Sequence, residues 1–225
     1  MQITTLSIFK YTNFSSKIWA FGMMQFAHQH LKKAGGCSFY KLMGSGKEGF
    51  NPLPDWGVYS LLQVWETQVA AEEFIHHSTL FKKYFKNSSE HSILFMNSIQ
   101  ARGNWGGENP FISQDEELTN QKIAVITRAS IKWSKLITFW KFVPKSQKPL
   151  INAKGLLYTK GFGEVPFKEM ATFSIWESKE DLFKFAYQSK EHIEAIKKTR
   201  TIKWYNEEMF SRFIVTKING DFLKI

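Results

Sequence analysis

The chain has 225 residues, enough for one large domain or two modules of about 100 residues each. Its 43% hydrophobic and 16% aromatic content is that of a core-forming protein, and a lone cysteine, Cys37, excludes an internal disulfide framework and any all-cysteine metal or iron–sulfur site. The net charge of +10 is carried mostly by lysine, since arginine occurs only as Arg102, Arg128, Arg200 and Arg212. Bidentate guanidinium readout of nucleic acid is therefore not expected, whereas scattered lysines suit a solvated surface or an anionic membrane surface.

In chain order, residues 3–11 alternate as a strand, with no N-terminal leader pattern. No run approaches the ~18 apolar residues of a spanning helix, so the expectation is a cytoplasmic protein that touches membranes at most peripherally. Residues 14–33 have helical spacing through Phe14, Ile18, Phe21, Met24 and Leu31, and Gly35-Gly36 stops that helix. A short strand at 39–43 leads into a loop rich in Gly and Pro that runs to Trp56. Strand 58–65, helix 69–86 and strand 92–100 follow. A linker from Gly103 to Asn120 carries glycines, Pro110 and the acidic run Asp115-Glu116-Glu117.

The pattern then repeats: strand 122–131, helix 134–150, strand 154–161, loop 161–167, strand 168–177, helix 179–198 and strand 209–217. Trp65-Glu66 recurs as Trp176-Glu177, a spacing of 111 residues, or about half of the chain. The organisation predicted is an N-terminal repeat at 1–103, a linker at 104–120 and a C-terminal repeat at 121–225. Each repeat reads as βαββαβ, a ferredoxin-like unit. Helices cover one face of such a sheet, so the two bare faces must pair, and the fold class is α+β: two repeats fused into a barrel as a pseudo-dimer.

Gly44-Ser-Gly-Lys-Glu-Gly49 matches a dinucleotide fingerprint in letters only, because Phe50-Asn-Pro-Leu-Pro54 cannot open the helix that would hold a pyrophosphate. It reads as a hairpin loop. The adjacent carboxylates Glu72-Glu73 and Glu207-Glu208 point apart and read as solvated. Among six histidines, His28/His30 and His76/His77 cannot converge on one ion. His192 differs, because Phe185, Ser189, His192, Ile193 and Ile196 fall on one inward helical stripe. At the 111-residue spacing its counterpart is Phe81. The residues alone leave two readings open: a core histidine with one hydrogen bond, or an axial nitrogen for a flat macrocycle, with Ser189 small enough to leave space beside it.

Six strings resemble the spheroidene monooxygenase family of carotenoid biosynthesis. They are Gly44 to Tyr59, Arg102-Gly-Asn-Trp-Gly-Gly-Glu-Asn-Pro-Phe111, Thr127-Arg-Ala129, Gly161-Phe-Gly-Glu-Val-Pro-Phe167, Thr172-Phe-Ser-Ile-Trp176 and Trp204-Tyr-Asn-Glu-Glu-Met-Phe-Ser-Arg-Phe213. The similarity runs from about residue 3 to about 217. The resemblance implies an enzyme dependent on haem b iron and oxygen that places a keto group on C-2 of acyclic carotenoids, with electrons from a ferredoxin-type donor. It also implies kinship with haem proteins of the dimeric α+β barrel class, among them aldoxime dehydratases, and supports His192 as the metal ligand.

On this reading Ser189, Phe173, Ile175 and Ile196 would line the cofactor, with Phe173 and Ile175 as the wall on the sheet side. Arg128, on an otherwise apolar strand, would meet a haem propionate or an oxygen ligand, or is an ordinary strand-end charge. In the family pattern the residue two after Gly-Glu-Val-Pro-Phe is often histidine, and here it is Glu169. That carboxylate could exchange a proton if burial raised its pKa. Two alternatives remain open: a haem-dependent dehydratase of the aldoxime type, and a non-catalytic binder of haem or another apolar ligand.

Overall fold

Apolar and β-branched runs, most of them buried on both faces, build eight strands among the described residues: β1 Ile3–Lys10, β2 Cys37–Gly46, β3 Pro54–Trp65, β4 Glu90–Gly103, β5 Ile123–Ile131, β6 Leu156–Val165, β7 Glu169–Trp176 and β8 Tyr205–Gly220. The helices are α1 Phe14–Phe26, α2 His28–Leu31, α3 Gln68–His77, α4 Thr79–Asn87, α5 Leu136–Ile151 and α6 Lys179–Gln188. The structure is a computed structural model. It describes residues 1–48, 50–115, 121–151, 153–188 and 201–225, with side chains left undescribed at 144–149, 151 and 188.

Local chemistry sets the helix ends. Asn13 caps α1, its Oδ1 accepting from the Ser16 amide at 2.8 Å. The helix expected over 69–86 is two helices, because Ser78 leaves helical backbone and its Oγ accepts from the Phe81 amide at 3.2 Å, starting α4.

The strands close a barrel in the order β1-β3-β2-β6-β7-β5-β8-β4. The register repeats between its halves. Ile3 pairs with Trp65 as Ile123 pairs with Trp176, and Lys10 pairs with Val58 and Glu90 as Ser130 pairs with Glu169 and Glu207. Two seams join the halves. β4 and β8 pair at eleven positions, whereas β2 and β6 pair at two, Gly44 with Gly163 and Ser45 with Phe162.

Strand alternation assigns the faces. Ile8, Leu62, Val64, Ala124, Ile126, Phe173, Ile175 and Phe213 fill the barrel interior. The opposite face of the first half-sheet packs on α1, α3 and α4 through one continuous core that includes Phe9, Leu61, Phe81 and Phe95. The corresponding face of the second half has, among the described residues, two separate clusters. One gathers around Ile123, Val125 and Trp176, and the other around Ile131, Phe139 and Trp204.

Candidate functional site: a charged barrel mouth and a pared sheet face

Arg128, Glu169 and Glu207 come from β5, β7 and β8, near the strand ends and on the interior side. Ser130, one interior step beyond Arg128, pairs across to both glutamates, which brings the two carboxylates to either side of the guanidinium. Arg128 is buried and ion-paired with both. Glu169 also accepts from Ser130 Oγ at 2.8 Å and from Lys168 Nζ at 2.9 Å. Glu207 accepts from the backbone amides of Gly106 at 2.9 Å and Gly107 at 2.7 Å. Both glycines have positive φ, +75° and +92°, and this left-handed pair turns two successive amides onto one carboxylate. Between them and the barrel lies Trp105, fully buried, its ring centroid 5.8 Å from the Arg128 guanidinium and its Nε1 donating to Glu164 at 2.6 Å. The linker thus closes this end of the barrel.

Burial pulls the Glu169 carboxyl upward, but Lys168, Ser130 and Arg128 together outweigh it and hold its pKa below the usual carboxylate value. Glu207 behaves alike: burial raises it, while the Gly106 and Gly107 amides and Arg128 lower it further. Both are ionised at neutral pH. The expectation of a burial-raised proton donor at Glu169 is thereby corrected, as is that of a solvated Glu207; Glu208, its neighbour, is exposed. The guanidinium is engaged by two carboxylates inside the barrel, on the side of the sheet away from the helices.

The helix-facing side of the second half-sheet is the other feature. Register matches Phe9 with Ala129, Ser7 with Thr127, Leu61 with Thr172, Gln63 with Ser174 and Phe95 with Arg212. All five first-half residues are buried at 0–1% exposure. In the second half Thr127 is exposed in mid-strand, and Thr172, Ser174 and Arg212 are half-buried. Bulk has been removed from this face where its twin is packed solid. Arg212 lies 4.7 Å from the Phe183 ring centroid and 5.0 Å from that of Phe210, and its Nε is buried with no hydrogen-bond partner among the described residues.

Phe173 and Ile175, expected to wall a cofactor between helix and sheet, are buried inside the barrel instead. The helix-facing wall of β7 is Thr172 and Ser174, one residue out of phase. His192, Ser189 and Ile196 lie outside the described residues. Among the described residues no three His, Cys, Asp or Glu side chains group to hold a metal ion, and no helix is long and apolar enough to cross a membrane.

A third feature lies where the halves meet. A shallow, open cleft at the β2–β6 seam is lined by Gly44, Gly46, Pro52, Pro54, Gly163 and Met170, among others. The hairpin reading of the glycine-rich loop agrees with this pairing, since β2 continues to Gly46 opposite Pro54.

The architecture is that of a duplicated α+β barrel. Two solved aldoxime dehydratase structures share it: one in complex with butyraldoxime (TM-score 0.64, 9% identity, 95% of this chain and 79% of that one) and another (TM-score 0.60, 9% identity, 96% and 82%). At such identity the likeness concerns the fold alone. No family model matches the chain. Among characterised proteins, it is 31% identical to the spheroidene monooxygenase of Rhodobacter capsulatus over 99% of this chain and 94% of that protein. It is 34% identical to that of Cereibacter sphaeroides over 95% and 66%, and 31% identical to that of Rubrivivax gelatinosus over 92% and 79%. The chain belongs to the spheroidene monooxygenase family and is an oxidoreductase.

Proposed function

We propose that this protein is a haem-dependent monooxygenase that oxidises an apolar substrate of the carotenoid class with O2 and external electrons. The substrate class rests on the relatives, each named for action on spheroidene, at 31–34% identity across nearly the whole of this chain. The haem rests on the family resemblance and on one observation, the pared sheet face. Its matched positions replace Phe9 and Leu61 with the smaller Ala129 and Thr172, and side chains reduced in this way would make room for a flat macrocycle. In the first half Phe81 packs on Phe9, with ring centroids 6.1 Å apart; at the 111-residue spacing its counterpart in sequence is His192.

Haem, when bound, supplies an iron centre able to activate oxygen. His192 would hold the iron through its imidazole, and Ser189 and Ile196, which share its helical spacing in the sequence, would line the group. Arg212, its Nε without a partner among the described residues and beside two aromatic rings, offers a cation to a propionate. Thr127, Thr172 and Ser174 would leave room for the group and add hydroxyls. Arg128, clamped by Glu169 and Glu207, fixes the linker as a plug and keeps water from the barrel end. A ferredoxin-type donor, whose acidic surface complements this lysine-rich one, delivers the electrons.

The test is a spectrum followed by turnover. Protein produced with ample iron and haem precursor should show a Soret band and convert an acyclic carotenoid only with oxygen and reduced ferredoxin. His192→Ala should lower haem occupancy roughly tenfold or more while the circular dichroism is unchanged. A normal haem spectrum in that variant overturns the ligand assignment. Nitrile formation from an aldoxime without oxygen or reductant overturns the monooxygenase.

A further inference from the structure

The surface carries exposed apolar side chains in a repeated arrangement that the barrel and the pared face do not use. On α1, Phe14, Ile18 and Phe21 are spaced by four and three and are all more than half exposed. Trp133, Ile137 and Trp140, leading into and along α5, have the same spacing; Trp133 and Ile137 are above 70% exposed, and Trp140 is half-buried against the cluster around Phe139. Each set is continued by an aromatic from the matching hairpin. Phe21 meets Trp56 edge-on at 5.3 Å, and Trp140 meets Phe167 edge-on at 6.2 Å.

The two sets belong to one face. Phe50 lies 5.3 Å from Trp140 on α5, and six residues later Trp56 touches Phe21 on α1, so one short segment bridges both. That segment lines the cleft at the β2–β6 seam through Pro52 and Pro54, opposite Gly163 and Pro166. The cleft therefore opens between the two aromatic sets. Soluble monomers rarely expose apolar side chains in so large a contiguous group without a partner for it.

The rim is basic. Lys17 lies beside Gly57 and thus Trp56, Lys47 is exposed in the bridging loop, and Lys132, Lys135 and Lys141 flank Trp133 and Ile137. Nearby carboxylates are already neutralised: Asp55 by Lys160 at 2.8 Å, Glu164 by Lys41 at 2.8 Å, and Glu169 by Arg128 and Lys168. Glu48, in the bridging loop, is exposed. Aromatic and aliphatic side chains surrounded by lysine suit the interface of a bilayer containing anionic lipid. They suit a second copy of the chain poorly, because an isologous contact would set lysine rim against lysine rim.

We infer that this face docks on an anionic lipid bilayer, with the two aromatic sets inserted on either side of the cleft. Docking does not depend on the proposed reaction, although the cleft's service as the entry for a membrane-dissolved substrate rests on it.

The experiment is co-sedimentation of the purified full chain with vesicles of phosphatidylcholine, alone or mixed with phosphatidylglycerol, without carotenoid or reductant. The protein should pellet with the mixed vesicles and roughly tenfold less with the neutral ones. The double variant Ile18→Glu with Ile137→Glu, at exposed positions, should keep its melting temperature and lose the binding. Three results overturn the inference: wild-type protein left in the supernatant, a variant that pellets like wild type, or a wild-type dimer that the variant turns to monomer with neither binding vesicles. Since no catalysis is measured, failure here leaves the proposed reaction standing, and failure of the reaction leaves the docking standing.

Discussion

The first half-sheet presents Phe9, Leu61, Gln63 and Phe95 to its helices, and the second presents Ala129, Thr172, Ser174 and Arg212 at the same register positions. Removing one buried side chain of this kind ordinarily costs about 2–5 kcal/mol, so the second half forgoes several such contributions. The barrel interior shows the reverse departure, with Ile8 and Val58 matched by Arg128 and Glu169. One copy thus follows packing rules that the other breaks on both faces. Departures from packing rules tend to gather at functional sites, and here they gather in one member of a duplicated pair, which is why the proposed site is placed there.

The sharpest way to break that comparison is to rebuild the first face in the second half. If haem binds on this face as proposed, Ala129→Phe with Thr172→Leu should reduce its occupancy to near zero, read from the Soret band, while thermal stability holds or rises. Full occupancy in that double variant would show that the pared face is not where the cofactor sits.

A smaller effect is expected at the interior pair. Arg128→Ala leaves two carboxylates facing each other and should cost about 3 kcal/mol, near the low end for a broken buried ion pair because the Glu207 side chain keeps 23% exposure. Urea unfolding at neutral pH measures it, and a loss under 1 kcal/mol would mean that the charges are effectively solvated. In the first half the matched ion pair, Lys10 with Glu90 at 2.6 Å, is more exposed on both sides, so Glu90→Gln should change stability by less than about 1 kcal/mol.

The smallest expected effect is in acid. The folded-state pKa values of Glu169 and Glu207 lie below the ordinary carboxylate value. Their contribution is therefore full above the unfolded-state pKa of about 4.3 and disappears as pH falls through the depressed folded values. Glu169→Gln should flatten the fall in urea midpoint below about pH 4. An unchanged acid slope would assign that fall to other carboxylates.

Much of the fold was legible because both faces of most strands are buried and the Trp-Glu step marks the duplication. The same double burial hid the face assignment on β7. Met170-Ala-Thr-Phe-Ser-Ile-Trp176 has apolar residues at both parities, so Phe173 and Ile175 could be set on either side. Carrying the repeat residue by residue would have settled it, since Leu61 with Thr172 and Gln63 with Ser174 fall at the 111-residue spacing that links the two tryptophans. Arg128 and Glu169 were both singled out from the sequence. Their ionic pairing was not legible, because it depends on strands 41 residues apart and on a third partner, Glu207, that resembles any solvated acidic pair. Arg212 was missed for want of a parity argument on β8. The break at Ser78 was open to reading, as a serine followed by helical spacing is a capping signal.

The unequal seams have a mechanical consequence. With eleven paired positions between β4 and β8 and two between β2 and β6, the barrel resembles a bracelet with a stout hinge and a slight clasp. Local opening of the wall should cost least at the clasp, where the glycines Gly44 and Gly163 face each other without side chains to interlock. Anything that has to slip between the halves meets the least resistance there.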